Sequence, residues 1–165
     1  MEKVLEFKDI NKKFDNLKVL EKATFTVNKG EIVCLLGPSG SGKSTLFKLA
    51  AGLIEKDSGQ IVMNENLRKG YIFQNPRLLP WKTVEENLIF VQENYLSKQK
   101  AKKIRNKLLE LNGLSNFKNN YPSQLSGGMK QRLEIIRGLS ILPDFLLMDE
   151  PFKSIDTQLK VNLRK

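Results

Sequence analysis

One short run carries the densest chemistry in this sequence. Gly37-Pro38-Ser39-Gly40-Ser41-Gly42-Lys43-Ser44 follows the spacing G-x-x-x-x-G-K-[ST], and Thr45 continues it. Glycine suits a loop whose successive backbone N–H groups must wrap phosphate oxygens without Cβ clashes. Lys43 would then neutralise β- and γ-phosphates, and the Ser44 hydroxyl would ligate Mg2+. A flexible Gly/Ser linker has the same composition. The flanks argue against it: an apolar run, Ile32–Leu36, precedes the loop, and a helix-like stretch, Ser44–Leu53, follows.

A second cluster closes another apolar run. Phe145-Leu146-Leu147-Met148 ends at Asp149-Glu150, the form of a Walker B strand. Asp149 is placed to hold Mg2+ directly or through water, and Glu150 to polarise an attacking water. Alone, this pattern also fits a strand followed by a solvated turn. The sequence has no His, which removes imidazole as the base and leaves Glu150 as the economical choice. A third cluster is Leu125-Ser126-Gly127-Gly128-Met129-Lys130-Gln131-Arg132. Two glycines at a helix start lower helix stability by up to ~1 kcal/mol each relative to Ala. The placement makes sense where helix N–H groups and the Ser126 hydroxyl take an anion.

The elements that must position these groups follow from periodicity. Val4–Ile10 alternates as a strand, Ala23–Val27 is a second, and Asn28-Lys29-Gly30 is a turn. Ile32–Leu36 is continuous, as in a strand buried on both faces. Gln60–Met63 and Tyr71–Phe73 are short strands, with Pro76 and Pro80 marking a loop. Thr83 and Glu86 have capping-box spacing before Val84, Leu88, Val91 and Tyr95. Ser97–Leu111 is a helix stopped near Asn112-Gly113, and another runs from about Ser126 to before Pro143. The tail after Asp156 is helical in pattern. The expected fold is α/β: a nucleotide core of 1–83 and 143–165, with an N-terminal antiparallel β region and an inserted helical subdomain, 84–142.

Composition excludes several classes. The 165 residues and 40% hydrophobic content suffice for one globular domain, and a lone Cys34 cannot form an internal disulfide. A Cys/His zinc site has no ligands to build from. No apolar stretch approaches the ~18 residues of a spanning helix. The net charge is +10, from Lys far more than Arg. Lys98, Lys100, Lys102, Lys103, Arg105 and Lys107 form its densest cluster, with Ala101, Ile104, Leu108 and Leu111 at helical spacing. A solvated helix face explains it, as would contact with nucleic acid or an anionic membrane. No aromatic residue is interleaved to stack single strands.

Taken in order, these motifs resemble the ATP-binding cassette (ABC) ATPases, whose signature is usually L-S-G-G-Q. The resemblance spans nearly the whole chain. It implies that ATP and Mg2+ are the cofactors. The stretch Gly37–Thr45 would bind phosphate, Phe14 would stack on adenine, and Gln74 would be the Q-loop residue that senses Mg2+ and water. Ser44, Gln74 and Asp149 would form the metal set, and Lys43, Gln74 and Glu150 would act in catalysis. Asp156 falls in the D-loop. Two cassettes dock head to tail in this family, so Ser126, Gly127 and Gly128 would serve a second subunit's ATP, most simply in a homodimer. Phe14 as a strand-end packing residue is the alternative for that position.

Phe73-Gln74-Asn75-Pro76-Arg77-Leu78-Leu79-Pro80-Trp81 is similar to importers of nitrate, sulfonates, taurine, bicarbonate or thiamine-precursor pyrimidines. Trp81 would lie near the docking surface for a membrane permease's coupling helix, or else pack in the helical insertion. The implied protein is an importer's energy-coupling subunit, cytoplasmic and peripheral on the inner face of the membrane, with no nucleic acid partner. A soluble ABC ATPase of translation or DNA repair is the competing class, and an ATPase-defective remnant is a third. Departures are Met129 for the signature Gln, and Lys153-Ser154-Ile155 for Ser-Ala-Leu. The family's switch His would follow the point where the sequence stops, at Arg164-Lys165, as would a strand between the P-loop and Walker B strands. The expectation is a fragment or shortened product that folds poorly alone and turns over little ATP.

Overall fold

The computed structural model describes residues 2–64 and 66–151. Asp156, Lys153-Ser154-Ile155 and the tail expected to be helical lie outside them. The chain divides into two compact units, Met1–Leu67 and Arg68–Lys165.

The first unit is built on a three-stranded antiparallel sheet, β1 (Lys3–Phe14), β2 (Leu17–Asn28) and β3 (Ser58–Met63), in the order β2-β1-β3. Alternation in β1 buries Leu5 and Phe7, and Phe7 stacks on Phe25 opposite at 4.6 Å. The period then slips. The register shifts between Phe7 and Ile10, Asp9 takes a left-handed φ of 49°, and Ile10 becomes the next buried position. A bulge of this kind re-aims the side chains that follow it. Asp15-Asn16 turns β1 into β2. Helix α1 (Lys43–Ala50) follows the glycine-rich loop and buries Leu49 and Ala50.

Ile32–Leu36, expected as a strand buried on both faces, is not a strand. It has no regular secondary structure, and Ile32 and Leu36 are each 92% exposed. An apolar run becomes a buried strand only where neighbours pair with its edges and layers cover its faces. Neither sheet of the described residues takes this segment as a member. Hydrophobicity expresses a demand for partners and cannot supply them.

The second unit opens on β4 (Lys69–Ile72), which pairs in parallel with β5 (Phe145–Met148). Parallel neighbours need a long crossover. Here it contains α2 (Val84–Gln92), α3 (Lys98–Leu111) and α4 (Gly127–Leu139). Thr83 caps α2 through a complete capping box with Glu86, and Ser97 and Ser126 cap α3 and α4. Val84, Leu88, Leu109, Leu114, Leu125, Leu133 and Ile136 form the core between the helices.

Two details of periodicity are corrected. The buried face of α3 is Ala101, Arg105 and Leu109, spaced by four; Leu111 is 71% exposed. Arg105 therefore leaves the solvated basic face. Its guanidinium donates to Glu85 Oε1 and Gln92 Oε1, both at 3.0 Å, and the Gln92 amide donates to the Ser140 carbonyl at 3.2 Å. A planar cation with several donors suits such a junction. In α2 the inward face includes Asn87 and Gln92, while Tyr95 falls beyond the helix and is exposed.

Candidate nucleotide-binding site

The first unit carries the phosphate loop. Gly42, the N-cap of α1, has φ 87°. An added Cβ there would lie 3.0 Å from the Val19 carbonyl and from Leu20, so conformation and space both require glycine. No side chain caps α1. Lys43 curls back over the loop: Nζ donates to the carbonyls of Gly37 and Pro38 at 2.8 and 2.7 Å, and lies 3.4 Å from Ser41 Oγ. Ser44 and Thr45 stand in the first turn of α1, half-buried. Pro38, Ser39 and Gly40 are exposed. Phe14 ends β1 at the hairpin tip, 46% exposed, with Lys12 Nζ 5.2 Å from the ring centroid.

The second unit carries the carboxylates. Strand β5 delivers Asp149 and Glu150 at its C-terminal end, and the Asp149 N–H donates to the Ile72 carbonyl at 3.0 Å. Asp149 is 7% exposed. Glu150 adopts a left-handed backbone, φ 46°, costly for a residue with a Cβ and frequent at functional sites. Gln74, just past β4, donates from Nε2 to Glu150 Oε2 at 2.6 Å. Because the amide nitrogen is the donor, Oε1 is the atom of Gln74 with metal-binding chemistry. Beside these groups, burial and then the Asp149 charge push the Tyr71 phenol up to about 12. Tyr71 is therefore neutral at ordinary pH and stacks on Phe73 at 4.1 Å.

The start of α4 lies in the same unit. Ser126 Oγ accepts from the Met129 N–H at 3.2 Å. Gly127 and Gly128 have open space where a Cβ would stand. Among the described residues, packing demands neither glycine, and a group approaching the helix start would meet no Cβ there. Met129 packs on the apolar core of the helices, a structural account of its departure from the signature Gln.

Several positioning residues are not evident from motif spacing. Asn87 is fully buried; its amide donates to the carbonyls of Leu79, Lys82 and Thr83 and accepts from the Leu79 N–H at 2.8 Å. It thereby fixes the loop carrying Trp81, which is 68% exposed rather than packed in the insertion. Gln131 donates to the Pro151 carbonyl at 2.9 Å, tying α4 to the turn after Glu150. Glu134, also fully buried, contacts the loop around Gln74. The available signal was polar side chains at inward helical positions, where burial obliges hydrogen bonding.

The sequence model of the family described as ABC transporter matches residues 20–153. The chain belongs to the ABC transporter family. The cassette is similar to the sulfate/thiosulfate import ATP-binding protein CysA of Synechococcus elongatus, 40% identical over 97% of this chain and 49% of that protein. It is also similar to the aliphatic sulfonates import ATP-binding protein SsuB 2 of Pseudomonas syringae pv. tomato, 42% identical over 93% of this chain and 64% of that protein. A probable CysA of Chlorella vulgaris is 40% identical over 94% of this chain and 70% of its own length. The cassette thus spans about half to two thirds of the length of most such relatives.

Two solved structures share its fold, the α/β P-loop architecture expected from sequence. An ATP-binding subunit of an ABC transporter superposes with TM-score 0.88 at 32% identity, over 97% of this chain and 71% of that one. A dimeric post-hydrolysis ATP-binding cassette bound to ADP and Pi gives 0.80 at 28% identity, over 94% and 77%. Among the described residues of the cassette, no helix is long and apolar enough to cross a membrane.

Proposed function

We propose that this cassette binds ATP with Mg2+ and hydrolyses it to power solute import as the energy-coupling subunit of a membrane transporter. The contact that supports this best is Gln74 Nε2 on Glu150 Oε2 at the end of β5. It sets an amide and a carboxylate side by side, one to orient a water and the other to take its proton. In the same proposal, the N–H groups of Gly37–Thr45 and the Lys43 ammonium hold phosphate oxygens, and Phe14 stacks on adenine. Lys43 would exchange the Gly37 and Pro38 carbonyls for phosphate, a charge-assisted bond in place of neutral acceptors.

Ser44, Asp149 and Gln74 would each supply the kind of hard oxygen donor that Mg2+ prefers. Such a set suits a metal held largely by phosphates and water; when bound, it neutralises charge on the phosphates. Ser126, Gly127 and Gly128 would face the ATP of a second copy. The exposed Trp81 would meet the membrane subunit, with the cassette peripheral on the cytoplasmic face. Residues 1–83 and 143–165 would serve as the nucleotide core, and 84–142 as the helical subdomain.

The solute would belong to the nitrate, sulfonate, taurine, bicarbonate or thiamine-precursor group, on the Leu78-Leu79-Pro80-Trp81 stretch and the likeness to an aliphatic sulfonate importer. The test is turnover and uptake by the full chain assembled with its membrane subunits in vesicles. Solute-dependent ATP hydrolysis that disappears in Lys43→Ala is expected. Uptake that proceeds without ATP would refute the proposal.

A further inference from the structure

We propose that Glu134 is a positioning residue for the proposed hydrolysis: it fastens the loop bearing Gln74 to helix α4, so that Gln74 is held where it meets Glu150. Glu134 is fully buried. One oxygen, Oε2, accepts from the Arg77 N–H at 3.2 Å and from the Arg137 guanidinium at 2.8 Å; Oε1 accepts a longer bond from the Phe73 N–H, 3.5 Å. Phe73 precedes Gln74 and Arg77 comes three residues after it. A single carboxylate therefore grips the loop on both sides of the residue that reaches Glu150.

Loop N–H groups outside any ladder need acceptors, and a carboxylate is a strong one. Burying that charge needs compensation, which Arg137 supplies from the next turn of the same helix. Arg77 is drawn into the arrangement from its other end, its guanidinium lying 4.5 Å from the Phe73 ring centroid. The helix itself is a firm base. One turn beyond Glu134, Gly138 packs so closely on β4 that a Cβ would lie 2.9 Å from Ile72, and its carbonyl would lie 2.8 Å from a Cβ on Gly70. The strand before Gln74 and the loop after it are thus both seated on α4. Ser126 caps that helix eight residues earlier, a little over two turns. Whatever moves the start of α4 moves the Gln74 loop with it through Glu134.

The proposal rests on the hydrolytic role given to Gln74 and Glu150, and its test separates the two. Amide hydrogen exchange in the full chain reads the loop directly. In Glu134→Ala, exchange at Phe73 and Arg77 should rise on the order of ten- to a hundredfold, from loss of hydrogen bonds to a charged group. Amides of β4 and of the middle of α4 should stay protected. In the assembled transporter, kcat should fall about tenfold or more, as expected for a misplaced group, with KM for ATP little changed. Glu134→Gln keeps the volume and one acceptor, and should restore part of the protection and part of kcat. It also carries the test if Glu134→Ala does not fold. Unchanged exchange at Phe73 and Arg77 in the variant that folds overturns the proposal, as does exchange that rises equally throughout the unit. Localised exchange with no hydrolysis by the unsubstituted protein would leave the fastening standing and remove the catalytic role of Gln74.

Discussion

The phosphate loop and the carboxylate pair belong to one proposed chemistry but are held in opposite ways. The loop is organised locally. Gly42 sets its backbone, α1 begins at its end, and Lys43 satisfies itself on carbonyls five and six residues back. The strand-like run before it joins neither sheet of the described residues. The carboxylates are held by contacts distant in sequence: β4 beside β5, Gln74 on Glu150, Gln131 on Pro151, and Glu134 on the Gln74 loop. Local geometry can be written in a short motif. Tertiary fastening draws also on residues, such as Glu134, that no motif names.

That contrast can be attacked from several sides. The largest effect should come from Glu150→Gln: single-turnover hydrolysis falls about 10²- to 10⁴-fold while labelled ATP still binds, since proton transfer is lost and the phosphate loop is untouched. Equal loss of binding would show that the two regions are not separable. In the fastened region, Leu133→Ala removes a fully buried side chain from the core of the helices and should cost about 2–5 kcal/mol in urea unfolding. Thr83→Ala removes the α2 capping box and should cost about 1 kcal/mol by the same assay.

A smaller effect is pH-dependent. The Arg68 guanidinium, then the Arg68 N–H, holds the Asp144 carboxyl down at about 2. An unfolded aspartate titrates near ~3.9, so the contribution is complete above that pH and is lost as pH falls towards the folded value. Arg68→Ala should flatten the acid limb of the stability profile between about pH 4 and 2; an unaltered limb would exclude this pair as its source. The smallest effect is expected where the sequence looks most like core. Ile32→Ser should change stability by no more than about 0.5 kcal/mol because the side chain is exposed. A loss of several kcal/mol would mean that the run is covered in solution, and the contrast between the regions would narrow.

Much of this was legible from residue types. The capping box at Thr83 and Glu86, the Ser126 cap, the glycine-rich loop and the Asp149-Glu150 strand end are each written in a few adjacent residues, and each forms as their local chemistry requires. Glu134, Asn87 and Arg105 were not legible, because each finds partners outside its own helix and periodicity marks polar residues as outward. The slip at Asp9 was hidden for a related reason: a bulge is set by pairing between strands, and a strand read alone shows only its alternation. Ile32–Leu36 failed in the reverse sense, since its apolar character described a neighbour that neither sheet provides.

That exposed run has a consequence for handling the protein. Ile32, Val33, Cys34, Leu35 and Leu36 are uncharged, rich in strand-forming residues and free of proline, and among the described residues their backbone belongs to no ladder. Such a segment is a template on which another molecule can add a strand. The +10 charge opposes encounter between copies most strongly in dilute salt, and screening weakens that opposition as ionic strength rises. Turbidity should therefore grow with concentration and salt.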